Sequence, residues 1–319
     1  MCGQDFSKKQ NTSSLQILLA TYNSSHFLRE QLDSIFSQKY QDFEILIRDG
    51  GSSDDTLDII SSYRSRFPGK IRLVGSSKAS ALENFSALLS ESASDLVMFC
   101  DHDDVWMPDK ISVTLEKYRE MEKRFGADTP IMVFTDSEVS DENLNRIFPS
   151  MIRFQHLDPK HMDLNRLIVQ NVPSGNTMLM NRALVDLAGP IPPDAVMHDH
   201  WMTLAAAAMG KIGFVDQATL YYRQHGNNVY GASRYSIPAF LNKLKQGKGK
   251  IRRRFGQNIA QAAAFGRRYA DRLSSKDREM FRVLSSWQDL GFLTRRRVLW
   301  KYRIRKSGIL RNIGTFIFI

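Results

Sequence analysis

The chain has 319 residues, 42% of them hydrophobic and 24% charged, ordinary for a soluble globular protein of one large domain or a domain with an appendage. Its net charge of +10 is unevenly placed: residues 241–319 hold 21 Lys and Arg against 4 Asp and Glu, a net of +17, which leaves −7 on residues 1–240. The two cysteines, Cys2 and Cys100, and the lack of any CxxC or His/Cys cluster argue against disulfides and structural zinc, and a reducing compartment is expected.

The first 13 residues are polar and read as a disordered N-terminus without an apolar signal core. "LQILLA" is too short for a secretory signal or a membrane span, so a cytoplasmic protein is expected. "LQILLATYN" reads as a buried strand and a loop, and "SHFLREQLDSIFSQ" has apolar residues at helical spacing. The design repeats in "FEILIRDGGSSDDT", a strand and a Gly/Ser/Asp loop in which Asp54 or Asp55 suits the cap of the helix "TLDIISSYRSRF". "KIRLVGS" is a third strand, "ALENFSALLSES" a third helix and "SDLVMFC" a fourth strand. This alternation predicts an α/β fold with a mostly parallel, doubly wound sheet, whose ligands bind beyond the carboxyl ends of the strands. The loops there are "TYN", "RDGGSSDD" and "DHDD". No GxGxxG opens the first helix and no GxxxxGK[ST] occurs, which weakens a dinucleotide dehydrogenase or a P-loop NTPase.

Further on, "PIMVFTDSEVSD" reads as a strand and turn, and "VPSGNTMLMNRALVDLAG" as a Gly/Asn loop, an apolar run and a helix. "MHDHW" places His198, Asp199 and His200 just before an Ala-rich helix, and "IGFVDQATLYYRQHGNN" reads as a strand pair or meander. Domain boundaries follow at 14–235 for the α/β body and 236–319 for a basic helical region. A basic region of this kind attracts nucleic acid or an anionic membrane, unless it is a solvated helical face or helices packed on the α/β body.

Asp101, Asp103 and Asp104 lie within four positions at the end of an apolar strand. Adjacent carboxylates repel, more so when desolvated, and a divalent cation between them relieves the repulsion. An Asp-x-Asp suits Mg2+ or Mn2+, which take a carboxylate or two plus substrate phosphates; the plain alternative is an exposed acidic turn capping the next helix. Asp49 ends the second strand, where a carboxylate suits a base or ribose, or merely a turn. Asp199 at a helix start suits a general base, or merely an N-cap. His225 suits a metal or phosphate, or neither.

Six segments follow in order: "LLATYN", "RDGGSSDDT", "DHDDVWMPDK", "GNTMLMNRAL", "HDHW" and "YYRQHGNN". The series resembles the family-2 inverting glycosyltransferases of the nucleotide-diphospho-sugar transferase (GT-A) fold, most closely their bacterial rhamnosyltransferase-type branch. The resemblance implies that Thr21 and Tyr22 meet the nucleotide, Asp49 its pyrimidine base and Asp101 its ribose. It further implies that Asp103 holds Mg2+ or Mn2+, His225 lies in a loop closing over the diphosphate or metal, and Asp199 is the catalytic base. One departure stands out: the family's usual Asp-Asp-Gly-Ser is Asp49-Gly50-Gly51-Ser52. The implied reaction moves a sugar, rhamnose from dTDP-rhamnose or a hexose from a UDP-sugar, to a saccharide or lipid-linked acceptor. The basic C-terminal region, in which Arg and Lys alternate with Trp300, Tyr302, Ile304, Ile309 and Ile313, adds an expected peripheral location at the cytoplasmic face of an anionic membrane. The −7 body and the lack of an RNA-binding motif argue against nucleic acid as the partner.

Overall fold

The computed structural model describes residues 15–226, 234 and 248–319. The N-terminus expected to be disordered lies outside the described residues.

Four strands, β1 (Leu15–Thr21), β2 (Phe43–Asp49), β3 (Ile71–Ser76) and β4 (Leu96–Cys100), pair in the order β3-β2-β1-β4, all parallel. Between them run α1 (Leu28–Phe36), α2 (Thr56–Arg66) and α3 (Ala81–Glu91), as the alternation predicts. A two-residue strand, β5 (Val105–Trp106), follows β4 and leads into α4 (Lys110–Phe125). Beyond this point the sheet becomes mixed. It continues through β8 (Met178–Asn181), β6 (Ile131–Ser140) and β9 (Lys211–Arg223) to β5, with the short β7 (Arg146–Phe148) beside β6. β8 enters antiparallel to both β4 and β6, whereas β6 and β9 are parallel.

The segment read as a strand pair is one 13-residue strand, β9. Its register against β6 jumps from Thr135↔Val215 to Asp136↔Ala218. The exposed Asp216 and Gln217 are therefore a bulge within one strand, although they look like a turn in sequence.

Side chains on a strand alternate between faces, so β1 feeds two cores. Leu15, Ile17 and Leu19 pack with Leu32 of α1, Ile60 of α2 and Ile111 of α4. Leu18 and Ala20 join Phe85 of α3 on the other face. That second core also takes α7 (Arg182–Ala188), α8 (His198–Met209) and the basic helices α9 (Lys248–Arg268), α10 (Ser275–Ser285) and α11 (Phe292–Lys301). Trp201 of α8, fully buried, donates its indole N–H to the Ala188 carbonyl at 2.9 Å and faces the Phe265 ring of α9 edge-on at 5.3 Å. Two four-residue helices, α5 (Met151–Phe154) and α6 (Leu164–Leu167), line the route between β7 and β8, and α12 (Ile309–Phe318) ends the chain.

Local signals explain the helix starts. Ser80 and Glu83 form a reciprocal capping box at α3, and Ser274 caps α10 by accepting from the Asp277 N–H at 3.1 Å. At α2 the cap comes from Asp54, whose carboxylate accepts from the Thr56 N–H at 3.1 Å, while Asp55 makes no side-chain cap bond.

Candidate active site

The carboxyl ends of β1, β2 and β4 meet at one edge of the sheet, and three loops interlock there. Thr21 Oγ1 donates to Asp49 at 2.9 Å, and the Gly50 N–H donates to the Thr21 carbonyl at 2.8 Å. Asn23, in a left-handed conformation with φ 45, accepts from the Ser53 N–H at 2.9 Å and donates its own N–H to Ser52 Oγ at 2.8 Å. Asp49 is wholly buried. Besides Thr21, its carboxylate accepts from the Gly51 and Ser52 N–H groups at 2.9 and 2.8 Å and from the Ser52 and Ser76 hydroxyls at 2.6 and 3.1 Å. Burial works against its charge, but these donors hold its pKa below the ordinary value. Tyr22 stands 56% exposed above this network.

The glycine at position 50 has a tertiary cause. A Cβ there would lie 2.9 Å from Asn84 Nδ2 and 3.2 and 3.3 Å from the Ala79 and Thr21 carbonyl oxygens. Asn84, from α3, fills the space that a side chain at 50 would need.

The three aspartates after β4 are not equivalent. Asp104 turns inward and is 1% exposed. It accepts from Asn176 Nδ2 and from the Arg223 N–H at 3.2 Å, so it ties β4 to the turn before β8 and to the end of β9. Burial, then the charges of Asp103 and Asp101, push its carboxyl well up. Beneath it the buried Lys110, its Nζ 4.8 Å from the Trp106 ring, is pushed down to about 7 by burial. Asp103 faces the other way: its Oδ2 lies 2.9 Å from His225 Nε2. The sequence-expected pair is thus brought together from opposite ends of the body. Asp101 is raised to about 8 by burial, then by the charges of Asp103 and Asp199, so Asp199 is an electrostatic neighbour of the β4 cluster.

Asp199 lies in the first turn of α8. Its carboxylate accepts from the His200 N–H at 2.6 Å and the Gly175 N–H at 3.2 Å. Burial outweighs these bonds and lifts its pKa to about 6. The flanking histidines point inward. His200 Nε2 meets the Leu167 carbonyl at 2.6 Å, and His198 stacks on Phe85 at 3.8 Å with neither ring nitrogen hydrogen-bonded.

Two residues that shape the site carry no signal of their own in the sequence. Asn176 and Arg223 lie inside the quoted segments "GNTMLMNRAL" and "YYRQHGNN", and only the tertiary structure shows that both serve Asp104. Arg223 also donates to the Asp103 carbonyl at 2.9 Å and to Glu30 of α1.

Asp103 and His225 offer a carboxylate oxygen and an imidazole nitrogen at adjoining positions, and positive charge there would offset the repulsion that raises Asp101. The pair fits Mg2+ or Mn2+ as two donors. Among the described residues no group of three or more His, Cys, Asp or Glu is set to hold an ion. Diphosphate oxygens and water would complete the shell, the usual arrangement for Mg2+.

A half-parallel sheet with polar loops and paired carboxylates beyond its strand ends defines a nucleotide-sugar transferase fold of the GT-A type. Solved structures agree on the fold. Staphylococcus aureus TarS residues 1–349, crystallised with UDP-GlcNAc, aligns over 81% of this chain and 73% of its own, at TM-score 0.51 and 18% identity. A mannosyltransferase of Pyrobaculum calidifontis, solved with GDP-Man and Mn2+, aligns over 92% and 85%, at TM-score 0.50 and 14% identity. Residues 16–187 match the family model described as glycosyl transferase family 2, and the chain belongs to that family. A dTDP-rhamnosyl transferase, RfbG of Shigella flexneri, is 26% identical over 260 residues, 77% of this chain and 84% of its own. A glycosyltransferase of Nostoc sp. is 25% identical over 221 residues, and the match spans 66% of that relative's length.

Proposed function

We propose that the chain transfers rhamnose from dTDP-rhamnose, with inversion, to a hydroxyl of a cell-surface polysaccharide or lipid-linked oligosaccharide precursor. The observation that carries this reading is the placement of Asp199 beside the β4 cluster: Asp199 accepts from the Gly175 N–H, and the next residue, Asn176, donates to Asp104, although α8 and β4 are far apart in sequence. The donor is supported by the likeness to the rhamnosyl transferase of Shigella flexneri over most of its length.

Thr21 and Tyr22 border the nucleotide, with Asp101 at the ribose and Asp49 at the base, where its carboxylate must exchange one of its five internal donors for the base N–H. Asp103 and His225 hold Mg2+ or Mn2+, which when bound supplies positive charge against the departing diphosphate. Asp199 takes the proton of the acceptor hydroxyl as that oxygen forms its bond to the anomeric carbon. The bond from that carbon to the diphosphate oxygen breaks on the opposite face, and its electron pair leaves with the nucleoside diphosphate. A carboxylate with pKa about 6 suits this role: it is ionised at neutral pH, yet more basic than an ordinary aspartate. A lipid-linked acceptor sets the reaction at the cytoplasmic face of the membrane, with the protein peripheral there.

Thermal melting with TDP, UDP and GDP, each with and without Mn2+, tests the donor. A nucleotide at a hundred times its dissociation constant adds about 2.7 kcal/mol. TDP with Mn2+ should give the largest shift, and release of TDP from dTDP-rhamnose should depend on acceptor. A shift by UDP or GDP alone would overturn the rhamnose donor.

A further inference from the structure

Seven of the ten large hydrophobic side chains exposed among the described residues lie between Phe292 and Ile317, so the exposed apolar surface is concentrated on α11 and α12. α12 is amphipathic with its polar side inward. Arg311 donates to the Gln155 and His156 carbonyls at 2.6 and 3.3 Å, and Thr315 is buried. Asn312 accepts from the Lys306 N–H at 2.8 Å and donates to the Lys306 carbonyl at 2.7 Å. The outer side is wholly apolar: Ile309 (77% exposed), Ile313, Phe316 and Ile317 fall at i, i+4, i+7 and i+8, one stripe of a helix.

Arg296 joins this stripe to α11. Its guanidinium lies 3.1 Å from the Phe292 ring centre and 5.3 Å from that of Phe316, and it donates to the Ile317 carbonyl at 3.3 Å. The exposed Phe292 and Phe316 thus flank one cation and form a continuous patch. On α11, Leu293 and Trp300 (84% exposed) face outward beside Arg297, whereas Lys301 is paired with Glu279 at 2.9 Å; Arg303 and Arg305 follow, both exposed.

We infer that this face docks on an anionic lipid surface, with the α12 stripe and Trp300 entering the headgroup boundary and the basic residues meeting acidic headgroups. An amphipathic helix whose polar side is fixed to the protein has no use for an apolar outer stripe in water, and a Lys/Arg border with an outward Trp matches a membrane interface. Charge complementarity selects this occupant. A second copy would bring the same basic border against the first, and nucleic acid would leave the aliphatic stripe without a partner. No helix among the described residues is long and apolar enough to cross a membrane, so docking here is in the plane of the surface. The inference rests on the lipid-linked acceptor proposed above for its purpose, but its binding can be measured without turnover.

Flotation of the full chain tests it, on phosphatidylcholine vesicles with and without about a third phosphatidylglycerol. The chain should float with the anionic vesicles at low salt and lose binding as salt rises. Ile309→Ser, Ile313→Ser and Ile317→Ser together should cut binding more than tenfold with an unchanged melting temperature, and Arg297→Gln with Arg305→Gln about fivefold per charge. Equal flotation of parent and triple variant would overturn the inference, as would equal binding to neutral vesicles. So would a dimer, or a complex with a single-stranded RNA probe, that only the triple variant loses. Nucleotide release with a soluble acceptor, measured on the same samples without vesicles, reports on the proposed reaction separately and should not change in the triple variant.

Discussion

Asp199 sits where two influences oppose each other: N–H groups of the first turn of α8 and of Gly175 favour its charge, and burial disfavours it more strongly. Asp199→Asn should leave nucleotide binding intact and cut transfer by about 10²–10⁴-fold. Near-normal transfer would leave Asp199 as a helix cap, a role Asn fills equally well. The folded pKa, about 6, lies above the ordinary 3.8, so the proton stabilises the fold at low pH and that stabilisation is lost as pH rises through 6. Wild-type transfer should therefore decline below pH 6, while Asp199→Asn melts no lower than wild type at pH 7.5. His198 and His200 work in the other direction. Burial lowers them to about 3 and about 4, so their stability is full above pH 6.5 and fades as pH falls toward those values. Melting curves across the pH profile separate loss of the base from loss of the fold. For the cation, Asp103→Asn should abolish turnover with only partial recovery in excess Mn2+, and His225→Ala should show a smaller, better-rescued defect. Full wild-type activity in excess chelator would sink both expectations.

At the scale of elements, β1 to β4 and their helices are legible because each carries its own local pattern: a short apolar run, a polar loop, then helical spacing. The later sheet is not. β8 enters antiparallel through pairings such as Met98↔Leu179, which no local run encodes, and the Asp216-Gln217 bulge has the composition of a turn. The site divides in the same way. Residue types mark Asp101 and Asp103 at a strand end and Asp199 at a helix start, but nothing in "DHDD" distinguishes Asp104, bound to Asn176 and Arg223, from Asp103, which meets His225. That depends on Asn176 and Arg223 arriving from other elements. The Gly50 departure also has a tertiary origin in Asn84 of α3. Gly50→Asp, which restores the family's usual residue, should cost about 1–3 kcal/mol by overpacking against fixed carbonyls. Asn84→Ala should recover part of that loss. A Gly50→Asp chain that melts like wild type would show that the loop gives way freely.

Across the whole molecule, the sign of the charge changes near residue 240, outside the described residues, and the basic helices beyond that point share the core of the α/β body. The +17 carried by residues 241–319 marks off a region in sequence, yet Phe255, Phe265, Phe281, Leu284, Val298 and Leu299 share one core with Trp201 and Leu204 of α8. α9 and α10 also meet closely, because Gly266 presents no side chain to Phe281. Helices that bury their apolar sides in the body's core cannot melt before it without leaving Trp201 uncovered. Calorimetry of the full chain should therefore show one cooperative transition, although a chain of this size often shows more. Phe265→Ala should lower that transition as a unit, by about 3–5 kcal/mol for a buried aromatic lost from a packed site. Because α8 carries Asp199, the same substitution should weaken transfer more than nucleotide binding, which the proposed function assigns to the loops after β1, β2 and β4. Two separated transitions, with Phe265→Ala moving only the first, would show that the basic helices fold apart from the catalytic body.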